Sequence, residues 1–169
     1  MMRKLFWKVS VTSVLALLAA TEASADAILT QTRAGNFTFA GPGPVAVPIA
    51  PGVFQTPAFA NAASQRFLVL YTAECSVDAA NQGTWLDLDI QAVNVATGAI
   101  TVLAPTAGTT DAFCTSNGTA GQDNWHMNAV NAVGGGGLPA GNYVIRVVGK
   151  IQGGAGNGWL GDSSITVWR

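Results

Sequence analysis

Charge is scarce in this chain: Asp, Glu, Lys and Arg make up 10% of its 169 residues. Beyond Lys8 no cluster of Lys and Arg occurs, so the electrostatic footprint of a nucleic-acid binder is missing. Histidine occurs once, at His126, and cysteine twice, at Cys75 and Cys114. Without a Cys-x-x-Cys pair or a second histidine, zinc-ribbon and thioredoxin-type motifs are excluded, and the sequence calls for no metal and no cofactor. Gly-x-Ser-x-Gly is absent, and the Gly134 to Gly137 run lacks the Lys-Ser/Thr of a phosphate loop. No catalytic residue can be named. Past residue 25 no apolar stretch reaches the roughly 20 residues of a membrane-spanning helix, and no helical periodicity or internal repeat is found.

What is present begins with a targeting segment. Arg3, Lys4 and Lys8 precede an apolar stretch from Val9 to Ala20, and Ala23-Ser-Ala25 fits the small-residue cleavage rule. Residues 1–25 are therefore expected to be a cleaved signal peptide, with 26–169 the mature domain, secreted or periplasmic. Those 144 residues suit one domain and carry five basic and eight acidic groups, a net charge near −3. In that compartment Cys75 and Cys114 are expected to form a disulfide.

The mature part alternates short extended runs with Gly, Pro and Asn turns. Asp26 to Thr32 reads as an edge strand, Asn36 to Phe39 as a second, and Val45 to Pro48 as an edge arm because proline cannot donate to a ladder. Residues 52–65 read as loop. Arg66 to Thr72 is a near-continuous apolar run placed centrally, ended by Glu74-Cys75. From Thr84 to Gln91 the alternation is clearest, with Leu86, Leu88 and Ile90 on one face and Trp85, Asp87 and Asp89 on the other. Val93 to Val102 reads as a hairpin about Thr97-Gly98, residues 105–124 as loop, and Trp125 to Val130 as a strand. The Pro139-Ala-Gly-Asn142 turn opens a long strand to Ile151, with Tyr143, Ile145, Val147 and Ile151 on its apolar face. After the Gly153 to Gly158 run, Trp159-Leu160 and Ile165 to Trp168 read as its hairpin partner, with a bulge at Gly161-Asp162. The fold class is all-β: a single-domain, jelly-roll-like β-sandwich with one disulfide.

Leu138-Pro-Ala-Gly-Asn-Tyr143 and Ser163-Ser-Ile-Thr-Val167 give residues 125–169 a resemblance to jelly-roll domains of the C1q and tumour-necrosis-factor type, which implies a trimer. With Ala73-Glu-Cys75, Trp85-Leu-Asp-Leu-Asp89, Phe113-Cys-Thr-Ser-Asn117 and Gly158-Trp-Leu-Gly-Asp162 as landmarks, the mature chain also resembles small secreted bacterial proteins of uncharacterised function. Neither resemblance implies a catalytic residue.

The functional expectation is a secreted, non-catalytic binding or structural domain acting through a sheet face or by self-association. The alternative is a carbohydrate-binding module. An aromatic ring stacks on the apolar side of a pyranose, and Trp85 beside Asp87, Asp89 and Arg146 offers such a face. Asp87 and Asp89, about 7 Å apart along one strand face, also have the oxygen chemistry for calcium or for the acid and base of a glycosidase. A wet sheet face, paired with Arg146 and Lys150, is the competing reading. His126 beside Trp125 reads as a structural or surface residue.

Overall fold

The computed structural model describes residues 25–108, 111–121, 125–134 and 136–169. The expected signal peptide lies, apart from Ala25, outside the described residues. Among the described residues there is no helix, and the eleven strands form two sheets.

The first sheet holds β1 (Ala27–Arg33), β2 (Phe37–Ala40), β5 (Phe67–Asp78), β9 (His126–Gly134) and β11 (Asn157–Trp168). Its order is β1-β11-β5-β9, with β2 beside β1 along β11. In the second sheet are β3 (Val45–Val47), β4 (Phe59–Asn61), β6 (Trp85–Asn94), β7 (Ile100–Val102), β8 (Ala112–Thr115) and β10 (Gly141–Gln152). There β10 and β6 are central, β3 and β4 share the free side of β10, and β7 and β8 share the free side of β6. Counting each broken edge as one position leaves four positions per sheet. Between these positions the chain changes sheet at every connection except the β6–β7 hairpin, and that is the wiring of a jelly roll.

Two-residue alternation accounts for the core. Val69, Tyr71, Ala73, Cys75 and Val77 of β5 face Leu86, Leu88 and Ile90 of β6 and Tyr143, Ile145, Val147 and Ile151 of β10, and all are essentially buried. The β6–β7 turn forms because the Asn94 Oδ1 accepts from the N–H groups of Ala96 (3.0 Å) and Thr97 (3.1 Å), while Gly98 takes φ +70°. The bulge expected at Gly161-Asp162 is present, as a register shift between Leu160 and Ser163. The buried Arg33 holds it, donating to the Leu160 and Gly161 carbonyls at 2.8 and 2.6 Å.

Four expectations are corrected. The strands on either side of the Gly153 to Gly158 run are not a hairpin: β10 and β11 belong to different sheets. Both are apolar along one face, and each serves as the centre of its own sheet rather than as partner to the other. Residues 52–65 are not all loop, since β4 pairs Phe59–Asn61 with Gly141–Tyr143. Residues 105–124 contain β8. Glu74-Cys75 does not end the central strand: β5 continues to Asp78, and an exposed Glu74 is simply its outward residue.

Candidate functional site

The residues proposed from sequence as a ligand face do share one side of one sheet. Antiparallel register places Lys150 opposite Asp87, Val148 opposite Asp89, Arg146 opposite Gln91 and Gln152 opposite Trp85. All project away from the core, since Leu86, Leu88 and Ile90 take the inner side. The expectation of a wet face is corrected, however. The Asp87 side chain is fully buried, and those of Asp89 and Lys150 are 16% and 17% exposed.

The charges on this face answer one another. Lys150 Nζ lies 3.1 Å from Asp87 Oδ2 and 3.5 Å from Asp89 Oδ2, so one ammonium occupies the point between the two carboxylates. Arg146 is not part of that cluster and donates instead to Gln91 Oε1 at 3.2 Å. Burial raises the Asp89 carboxyl above its ordinary value; Lys150 opposes that shift and Asp87 adds to it. For Lys150 burial works against the charged form, but Asp87 and Asp89 outweigh it and raise the ammonium above its ordinary value. Trp85 is half-buried with its Nε1 enclosed, and a side chain at Gly153 would collide with its ring. The face is thus an ion-paired seam in which each group is shielded by its neighbours.

Two other places are more open. At the edge where the sheets part, a cleft of about 490 Å³ lies between β8 and β9, a volume suited to a small ligand. Leu88, Phe113 and Val130 form its apolar wall; Thr106, Asp111, His126 and Asn128 bring polar groups. Cys114 also lines it, and the Cys75–Cys114 disulfide joins β5 to β8 across the core behind it. This site was not read from the sequence. Its one visible trace is that His126, Asn128 and Val130 share a strand face, opposite the more exposed Met127 and Val133.

The second open place is the outer face of the first sheet. Register aligns Trp168, Leu68 and Val133 in one row across β11, β5 and β9, and Thr166, Leu70 and Asn131 in the next. Leu68, Leu70, Val133 and Met127 are exposed, Met127 to 62%. Between the apolar row and Met127 runs a short hydroxyl row, where Thr72 and Ser164 are 2.7 Å apart. Arg66 flanks the Val133 end of this face, and Glu74 and Asp162 flank the Met127 end. On its open side the β9 backbone is met at Val133, whose N–H donates to the Ala104 carbonyl at 2.8 Å, and the Asn128 side chain donates to the Phe113 carbonyl of β8.

No family model matches the sequence, and no curated protein does. Among solved structures, the chain has a distant likeness to the VP2 subviral particle of infectious bursal disease virus. The two are 17% identical with a TM-score of 0.35, and the match covers 93% of this chain but 37% of that one.

Proposed function

We propose that this chain is a non-catalytic binding or structural β-sandwich, working outside the cytoplasm, whose outer first-sheet face docks against a second copy of itself. The observation that carries the reading is the exposed apolar row of Leu68 and Val133 beside Trp168, with Leu70 and Met127 on the same face. Exposed apolar patches of this kind mark interaction surfaces. A two-fold axis through the face would set the Arg66 end of one copy against the Glu74 and Asp162 end of the other, so the surface complements itself. Four strands of about eight residues span roughly 500 Å² per copy at ordinary strand spacing and rise, near the total of about 1,000 Å² that a specific interface needs. The disulfide is consistent with an oxidising compartment.

Sedimentation equilibrium tests this. The wild type should show a dimer mass that dissociates on dilution, and Leu68→Asp should weaken association at least about tenfold. Val95→Asp, at an exposed position on the β6–β7 turn, should leave it unchanged. A wild type that stays monomeric at high concentration overturns the reading. So does a trimer mass, which would favour the arrangement implied by the C1q-type resemblance.

The carbohydrate alternative keeps its own observation, a half-buried Trp85 on the same sheet face as Asp89 and Arg146. Since Lys150 already meets the two carboxylates, a sugar there would rest on the ring more than on the charges. Any glycan bound on an array should be lost in Trp85→Ala; binding that survives the substitution removes this face from consideration.

A further inference from the structure

Spacing along the chain gives no metal motif, but the fold brings three donor residues together. His126 lies directly opposite Cys75 in the β5–β9 register, and Cys114 reaches them from β8 in the other sheet, where it pairs with Leu86. The two sulfurs and an imidazole nitrogen of His126 all lie within 4.8 Å of one another. Cys114 and His126 also line the cleft of about 490 Å³ between β8 and β9. Asn128, on the same strand face as His126, places its Nδ2 3.6 Å from Cys75 Sγ while donating to the Phe113 carbonyl.

We propose that, once the disulfide is opened, Cys75, Cys114 and His126 form a three-ligand site for a soft or borderline metal ion such as Zn²⁺, Co²⁺ or Cu⁺, with a fourth position facing the cleft. Thiolate sulfur and imidazole nitrogen bind zinc at about 2.3 and 2.0 Å in tetrahedral geometry, which sets the donor atoms roughly 3.3–3.8 Å apart. Opening the disulfide moves the sulfurs out to that separation, and the imidazole has only about 1 Å to close. The reductant is a water-soluble phosphine. Phosphorus is oxidised to phosphine oxide with oxygen taken from water, the S–S bond breaks, and each sulfur takes up one proton. Metal binding then releases those two protons to solvent. In the oxidised protein the same sulfurs are spent on each other, and the site is closed.

Protein refolded anaerobically with the phosphine, its two thiols counted, is titrated with Co²⁺ alone while thiolate charge-transfer and visible ligand-field absorption are followed. One equivalent should bind to the reduced wild type and none to the oxidised protein. His126→Ala should weaken binding at least about tenfold, the scale on which even outer-shell partners act, and Cys75→Ser/Cys114→Ser should abolish it. Equal spectra and affinity for His126→Ala and wild type would show thiolate capture without a built site and overturn the proposal. So would a reduced chain that binds no Co²⁺ at stoichiometric concentration, whether or not it regains its β-sheet circular dichroism. Association through the outer face of the first sheet plays no part in this titration, so either proposal can fail alone.

Discussion

Replacing Lys150 by methionine is expected to cost the fold about 3–5 kcal/mol, the range seen when one partner of a buried ion pair is removed. Asp87 is fully enclosed, and Lys150 is the only cation in ion-pair reach of it among the described residues. The substitution keeps most of the volume of the lysine stem, so little of the loss would come from packing. What remains is a buried carboxylate that has lost its counter-charge. Urea unfolding of Lys150→Met beside Lys150→Met/Asp87→Leu separates the two contributions. The double variant should regain most of the loss, because replacing both charges with apolar groups removes the desolvation cost along with the attraction. A single variant within about 1 kcal/mol of wild type would mean that the pair behaves as an exposed one.

The same cluster gives the wild type an unusual pH response. Lys150 is raised in the folded state above its ordinary value of 10.5, so its stabilisation is complete below that value and is lost as pH climbs through the folded-state value. Asp89 is raised too, from 3.8, with burial as the largest cause. An acid whose folded-state value is raised is a cost while ionised, and that cost is relieved as pH falls. Moderate acidification should therefore draw no destabilisation from Asp89, whereas strongly alkaline solution should loosen the second sheet at the β6–β10 seam.

Most of the architecture was legible wherever one residue in two meets the core. Leu86, Leu88 and Ile90 announced β6, and Tyr143, Ile145, Val147 and Ile151 announced β10, because a sheet with one buried face imprints its period on the sequence. The paired cysteines and the bulge at Gly161 were readable for local reasons of chemistry and conformation. The sheet to which a strand belongs was not. β10 and β11 are joined by a glycine-rich run that would serve a hairpin or a crossover equally well, and the choice is made by distant partners, β6 for one and β5 for the other. Nor could the fate of Asp87 be read. A polar residue on the outer face is ordinarily wet, and only the cross-strand arrival of Lys150, 63 positions later, turns the face into a buried seam. His126 looked solitary for the same reason. Its neighbours Cys75 and Cys114 are adjacent through strand pairing and a crossing disulfide, neither of which has a linear signature.

Removing the disulfide with Cys75→Ala/Cys114→Ala should lower unfolding free energy by about 4 kcal/mol on the chain-entropy account, for a closed loop of about 40 residues. Several features argue that this cross-link delivers the full effect. It ties β5, central in the first sheet, to β8, a four-residue edge strand held otherwise by its ladder to β6. Without it β8 keeps the Phe113 side chain, buried against Tyr71, as its apolar anchor to the opposite sheet. Both sulfurs are enclosed, with Cys75 wholly buried and Cys114 2% exposed, so the alanines leave a void as well as a looser unfolded chain. For a domain of this size about 4 kcal/mol corresponds to a fall in Tm of roughly 8–16 °C, measurable by circular dichroism at the β-sheet minimum. Hydrogen exchange adds a spatial test. The amides of β8 and the β8-facing part of β9 should lose protection first, while β5, β6, β10 and β11 retain theirs up to global unfolding. Uniform loss across both sheets would instead mean that the link acts only through the unfolded chain, and that the ladder to β6 and the Phe113 anchor hold β8 in place without it.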